Sequence, residues 1–177
     1  LVFLDRMNKE CPTPKLGMYQ STNPCGEQPL LPYESCNLGH VNLGKFVRQK
    51  TEIDWQRLGE VVRLGVHFQD NVIDLCDYPI EKLKDMAYMT RKIGIGAMGW
   101  ADMLVKLGIR YDSRDALKLA EKVSKFIQKA ARDESIELAK RRGSFPAFGE
   151  SIWKKRGFPS MRNSTVNTIA PTGTIAA

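Results

Sequence analysis

Asn23-Pro24-Cys25-Gly26-Glu27-Gln28-Pro29-Leu30-Leu31-Pro32 is the stretch that decides how the chain is read. If its first five residues run extended, side chains at i, i+2 and i+4 share a face. Asn23, Cys25 and Glu27 then point the same way over about 13 Å, at ~3.3 Å per residue. That face carries an amide, a thiol and a carboxylate. Pro24 and Gly26 fall on the opposite face, and Pro29 and Pro32 follow. This argues against a central hydrogen-bonded strand and for an extended loop held by its surroundings. Such a loop can carry a nucleophile or radical site flanked by a hydrogen-bonding amide and a general base. The same residues also fit a proline-rich turn with a buried cysteine and a solvated glutamate, and spacing alone leaves both readings open.

Around this stretch, 177 residues give room for one ordinary domain or a piece of a larger one. With 42% hydrophobic residues and no low-complexity tract, the composition is globular. No apolar run approaches the ~18 residues of a membrane span, and Leu1-Val2-Phe3-Leu4-Asp5 is too short for a signal peptide, so a soluble, cytoplasmic protein is expected. The net charge of +7 suits an anionic ligand. Lysines and arginines nevertheless alternate with acids over most of the chain, as on solvated helix faces. Lys140-Arg141-Arg142 stands where a helix should end, and cations there favour the helix dipole without any partner. Neither this cluster nor Lys154-Lys155-Arg156 is interleaved with base-stacking aromatics. A non-catalytic, basic nucleic-acid-binding module is therefore only the alternative reading, and no stable nucleic-acid or membrane partner is expected. Cys11, Cys25, Cys36 and Cys76 contain no Cys-x-x-Cys pair, and only His40 and His67 could join them, so no metal site is expected. So sparse a set suits reduced thiols.

Leu1 to Leu4 reads as the tail of an element, followed by a Pro12-Thr13-Pro14 turn, and Cys11 receives no role. Glu34 to Phe46 reads as short strand and turn. Cys36 lies eleven residues after Cys25, a gap that can bring two thiols from adjacent extended segments to one cavity. Asp54 caps a helix whose apolar positions run from Leu58 to Cys76 and stop at Asp77-Tyr78-Pro79. On that helix His67 is a packed or surface residue and Cys76 a small buried hydrophobe. A shorter helix covers Ile80 to about Tyr88. Gly94, Gly96 and Gly99 match the GxGxxG pattern, but a dinucleotide site needs a hydrophobic strand before it, and Met89-Thr90-Arg91-Lys92 is not one. The glycines fit better in a short buried strand that another backbone or a ligand approaches closely. Trp100 to Leu107 is helical and ended by Gly108. Asp112 or Ser113 then caps a long outer helix, with Leu117, Ala120, Ile127, Ala131 and Leu138 inward, that stops at Gly143. Ser164 to Ile169 is β-branched and should be a strand. It runs into Pro171-Thr172-Gly173-Thr174-Ile175, where backbone N–H groups can cradle a phosphate if a helix begins there, although an ordinary strand-end turn fits as well.

Taken together, Ser21 to Gly39, Asp70-Asn71-Val72-Ile73-Asp74, Arg91 to Gly96, Arg162 to Thr165 and Thr168 to Ile175 resemble the catalytic large subunit of ribonucleotide reductase. Pro24 beside the cysteine and Cys36 close behind look most like the adenosylcobalamin-dependent class. The resemblance implies an α/β fold, part of a ten-stranded α/β barrel whose centre is threaded by a finger loop (21–33), with residues 1–177 a partial catalytic domain truncated at both ends and inactive alone. It implies that Cys25 carries a thiyl radical, Glu27 acts as base on the 3′ hydroxyl and Asn23 hydrogen-bonds the sugar. Cys36 would be half of a redox pair. Pro24 and Gly26 would line the substrate site, and Pro171, Thr172, Gly173, Thr174 and Ile175 would bind its phosphates. The implied cofactor is adenosylcobalamin. The implied partners are a ribonucleoside di- or triphosphate, an external dithiol such as thioredoxin, and a second copy in a homodimer. The chain departs from the family at His40, where serine is more frequent, and offers no match to the upstream partner of Cys36.

Overall fold

A computed structural model describes residues 1–49 and 51–176. Lys50 and Ala177, which the domain expectation over 1–177 includes, lie outside the described residues. The order is α1 (Leu4–Lys9), a hairpin of β1 (Ser21–Thr22) and β2 (Pro29–Leu30), β3 (Asn37–Asn42), a second hairpin of β4 (Val47–Arg48) and β5 (Glu52–Ile53), then α2 (Trp55–Leu75) and α3 (Glu81–Thr90). There follow β6 (Ile93–Met98), α4 (Trp100–Leu107), α5 (Arg114–Arg142), α6 (Ile152–Lys155) and α7 (Gly173–Ala176).

Local signals set the helix ends. Asp54 Oδ1 accepts from the Arg57 N–H at 3.1 Å and starts α2, and Ser113 Oγ accepts from the Ala116 N–H at 3.1 Å and starts α5. Gly108 and Gly143, both with positive φ, end α4 and α5. Along α2 the buried apolar side chains Leu58, Val62, Val66 and Ile73 form a helical stripe that packs with α5 and with Val41, Ile93 and Ile95 into the main core. On α5 the expectation for Leu117 fails, because that residue is exposed. Ala116 is the buried one, about three turns before Ile127 and so on the same stripe. Cys76 is likewise not buried; it follows the last turn of α2 and is exposed. Leu1 to Leu4 leads into a helix, α1, and does not finish an element.

β3 and β6 pair in parallel, with Leu38 opposite Gly94 and His40 opposite Gly96. Across the other edge of β6 the strand expected over Ser164 to Ile169 is reduced to one bridge, Ile95 to Asn167. The N–H groups of Ile93 and Ile95 donate to Thr165 and Val166, two consecutive carbonyls, so the alternation of a regular ladder is broken. Thr165 Oγ1 bonds the Ile93 carbonyl in place of a backbone N–H, while the Ile95 carbonyl accepts from both the Thr168 N–H and Asn167 Nδ2. Mixed α/β content is thus observed, and no closed barrel forms among the described residues.

The sheet has two unlike faces. Ile93 and Ile95 point into the core with α2, where a Cβ on Gly65 would stand 2.9 Å from Ile95 Cδ1. Gly94 and Gly96 present the other face, and β-carbons there would collide with Leu38, His40, Thr168 and Gln28. Gly94 and Gly96 of the GxGxxG match therefore lie within a buried strand and make room for close neighbours, as expected, while Gly99 is the left-handed N-cap of α4.

The matched stretches around Asp70, Arg91 and Arg162 meet in a buried ion cluster. Asp70 is fully buried, accepting from Arg91 Nε at 2.9 Å, Asn163 Nδ2 at 3.0 Å, Arg142 Nη1 at 3.2 Å and Arg162 Nε at 3.2 Å. Burial works to raise its carboxyl, but the hydrogen bonds and charges of Arg91 and Arg162 outweigh it and hold the group below its usual range. Arg142 thus has a specific partner beyond the helix dipole. Among the described residues no helix is long and apolar enough to cross a membrane, and no group of three His, Cys, Asp or Glu side chains is placed to hold a metal ion.

Candidate active site

The stretch from Asn23 to Gln28 is the tip of the β1–β2 hairpin, and it is curled, not extended. The Gly26 N–H donates to the Asn23 carbonyl at 3.0 Å, closing a turn over Pro24 and Cys25. Asn at the first, Pro at the second and Gly at the fourth position are the residues such turns favour. A second bond, from the Asn23 N–H to the Gln28 carbonyl at 3.1 Å, closes the loop, and Asn23 Oδ1 accepts from the Gln28 N–H at 3.0 Å. The shared face expected for three alternating side chains is therefore lost, because turn closure overrides the period of two. Asn23 uses its oxygen internally, which leaves its NH2 group as the end available to a ligand.

Neither thiol nor carboxylate matches the bland reading of this turn. Cys25 is exposed at the tip, and Glu27 is half-buried with Oε2 fully covered and without a hydrogen-bond partner. A buried carboxylate oxygen left unpaired is costly, so it marks a position where the fold supplies no partner of its own.

The hairpin is held from beneath by residues that local pattern does not single out. Lys92, whose side chain is 1% exposed, donates from Nζ to the Pro29 carbonyl at 2.6 Å, to Glu34 Oε2 at 3.0 Å and to Tyr19 Oη at 3.4 Å. The same Glu34 oxygen accepts from the Leu31 N–H at 2.9 Å, so one buried ion pair ties both strand β2 and the segment after it to the start of β6. Tyr19 is itself fixed by Asn8, which takes its N–H at 2.6 Å, and packs with Cys11 and Leu31 in a small second core. Cys11 is a buried member of that core. The available signal was a lysine directly before a buried strand, which needs an anionic or carbonyl partner.

Cys36 follows in the same neighbourhood, half-buried, with Sγ 3.6 Å from the Asn37 carbonyl. Burial pushes its thiol up to about 12. Lys92 pulls it part of the way back, and Glu34 and Glu27 push it further up. It is a protonated thiol near neutral pH. His40 is pushed down by burial, with the Glu27 charge offsetting part of the effect. The Glu27 charge thus acts on both Cys36 and His40.

The Pro171 to Ile175 segment stands apart from this cluster. It is mostly exposed, turns at Thr172 with φ of 58°, and opens the four-residue α7. A helix thus begins there, the condition on which a phosphate cradle depended. Pro171 is three Cα steps from Thr168 on the glycine face, a reach of at most about 11 Å. An apolar cleft of about 360 Å³, bounded by Leu43, Ile95, Trp100, Val123 and Ile127, also touches β6, but no titratable side chain lines it.

The family model for the ribonucleotide reductase barrel domain matches residues 1–177. A vitamin B12-dependent ribonucleoside-diphosphate reductase of Thermoplasma acidophilum is 53% identical over 99% of this chain and 23% of its own length. A protein of the same description from Mycobacterium tuberculosis is 49% identical over 99% of this chain and 25% of its own length. A ribonucleoside-diphosphate reductase subunit alpha of Chlamydia pneumoniae is 30% identical over 99% of the chain and 21% of its own. The chain spans about a quarter of the length of these curated relatives.

Proposed function

The chain belongs to the ribonucleotide reductase barrel-domain family, and from that premise we propose that it forms part of the catalytic barrel of an adenosylcobalamin-dependent ribonucleotide reductase. The carrying observation is the hairpin tip, with exposed Cys25 and unpaired Glu27, fixed by the buried Lys92–Glu34 pair over the glycine face of β6. That face is opposite the helices, as the interior face of a ten-stranded barrel would be, and the hairpin (finger loop 21–33) would then thread its centre.

In this reading Cys25, as a thiyl radical, takes the hydrogen atom from C3′ of the ribose; a C–H bond breaks and an S–H bond forms. Glu27 takes the proton of the 3′ hydroxyl, and the Asn23 NH2 group holds a sugar hydroxyl. The 2′ oxygen leaves as water. Cys36 and a second thiol supply two electrons and two hydrogens and end as a disulfide, after which Cys25 returns its hydrogen to C3′. A thiol that stays protonated suits Cys36 as a hydrogen donor. Pro171 to Ile175 would meet the substrate phosphates. The exposed tip residues Pro24, Cys25 and Gly26 fit approach by a radical-generating group. Adenosylcobalamin supplies, when bound, the hydrogen abstraction that converts the Cys25 thiol to its radical.

The substrate is a ribonucleoside di- or triphosphate, the ultimate reductant a dithiol such as thioredoxin, the working assembly a homodimer and the compartment the cytoplasm. The nucleic-acid alternative gains nothing, since basic residues of α5 are paired with acids along the helix, as in Lys125 with Glu121 and Lys129 with Asp133. In the complete protein, Cys25→Ser should reduce deoxynucleotide formation to background while ribonucleotide binding persists. Continued turnover would refute the assignment.

A further inference from the structure

The buried Lys92–Glu34 pair has a neighbour in Cys36. β3 and β6 run parallel with Asn37 opposite Ile93, so Cys36 and Lys92 stand side by side just before the two strands begin. Side chains at opposed positions of a sheet share a face, and successive ones alternate. Asn37 reaches toward α2, where its Nδ2 donates to the Gln69 carbonyl at 3.4 Å, and Ile93 joins the core on that side. Cys36 and Lys92 therefore lie on the other face, beneath the hairpin.

The Lys92 ammonium is fixed in place. Three oxygens hold it, those of the Pro29 carbonyl, Glu34 and Tyr19, and the Tyr19 ring stands 4.8 Å away. A surface lysine can swing its charge into water, and this one cannot. Glu34 lies two residues before Cys36, so the pair also fixes the segment that carries the thiol. The ionisable groups that act on Cys36 are Lys92 at the start of β6, Glu34 on its own segment, Glu27 on the hairpin and Tyr19 before β1. Tyr19 is neutral, because burial pushes its hydroxyl up. Lys92 is the cation of the set, and it faces two carboxylates.

We propose that Lys92 is a positioning residue for the return of Cys36 to its reduced form, its fixed ammonium stabilising the sulfur as it leaves a disulfide as a thiolate. This rests on the function proposed above, in which Cys36 ends turnover as half of a disulfide. An external dithiol attacks the other sulfur of that bond. The old S–S bond breaks, a mixed S–S bond forms, and Cys36 departs with the electron pair and takes up a proton released by the dithiol. The second thiolate of the dithiol then closes its own disulfide and frees the second thiol. A sulfur leaves faster when its thiolate is more stable, so the cation beside Cys36 speeds this exchange without touching the sugar.

The test follows alkylation of Cys36 by iodoacetamide at pH 8, read by peptide mass spectrometry on the complete, reduced protein. Lys92→Met and Glu34→Gln break the same contact, so a merely structural role moves both rates in one direction. The charge of Lys92 requires opposite signs, about threefold slower in Lys92→Met and about threefold faster in Glu34→Gln. That figure is a ~tenfold change in thiolate, partly offset by an opposing change in its reactivity. Lys92→Arg should stay within about twofold of the parent, and Lys92→Gln, which keeps a donor without the charge, replaces Lys92→Met if that variant does not fold. With ribonucleotide, adenosylcobalamin and limiting dithiothreitol, the prereduced Lys92→Met protein should keep its first burst of deoxynucleotide and lose about threefold in the steady-state rate. Alkylation rates that move together or stay unchanged in folded variants, or an unchanged steady-state rate, overturn the role of Lys92 and leave the function standing. A prereduced parent that gives no burst overturns both.

Discussion

Asp70 and the Asn23–Gln28 hairpin tip both lie in stretches through which the chain resembles its family, yet the fold treats them in opposite ways. Asp70 is buried and receives hydrogen bonds from four side chains drawn from as far as 93 residues away. The tip is tied down only at its base, leaving Cys25 exposed and one Glu27 oxygen buried without a partner. A motif whose polar atoms are all answered inside the fold is a structural clamp. One whose polar atoms go unanswered is held ready for something the fold does not contain.

The largest effect that would break this contrast comes from the clamp. Asp70→Ala leaves Arg91, Arg162 and Arg142 without their common anion, and removing one partner of a buried pair costs about 3–5 kcal/mol. Urea unfolding should show the loss. The pH dependence follows from the depressed carboxyl of Asp70. Its unfolded value is near 3.9, so the contribution is complete above that value and fades as pH falls through the lower folded value. The parent should therefore lose stability below about pH 4 more steeply than Asp70→Ala; parallel curves would mean that the cluster contributes nothing by ionisation.

The next effect sharpens the boundary between clamp and tip, since Lys92 joins the two. Lys92→Met strands the Glu34 carboxylate and should cost about 3 kcal/mol, while Lys92→Met with Glu34→Leu should recover much of it, as buried pairs replaced by apolar groups often do. Hydrogen exchange at Leu31 should rise in both variants. If the double variant remained as unstable as the single one, the pair would be stabilising in its own right and not mainly a fixture for the hairpin. A smaller effect is expected at the bridged segment, where Thr165→Val deletes one hydrogen bond to the Ile93 carbonyl and should cost about 1 kcal/mol by thermal unfolding.

The sequence revealed what local chemistry dictates. The caps at Asp54 and Ser113 and the stops at Gly108 and Gly143 were readable because each signal lies within a turn of the feature it fixes. The close-approach role of Gly94 and Gly96 was readable too, but not the identity of what approaches. Leu117 misled because a one-residue error in phase turns a helix position by about 100°. The hairpin misled for a related reason: Asn-Pro-Cys-Gly carries turn chemistry, and reading it with a strand's period gave an extended geometry the chain does not adopt. The Lys92–Glu34 and Asp70–Arg162 pairs span 58 and 92 residues, so no local pattern names their partners. Once paired, their residues explain why so much charge can be buried.

The most direct test of the central claim, that Cys25 at this tip is the radical carrier, is electron paramagnetic resonance of the complete protein freeze-quenched with ribonucleotide and adenosylcobalamin. The account predicts a sulfur-centred signal that narrows when the protein is made with β-deuterated cysteine and disappears in Cys25→Ser. The same signal persisting in Cys25→Ser would contradict it.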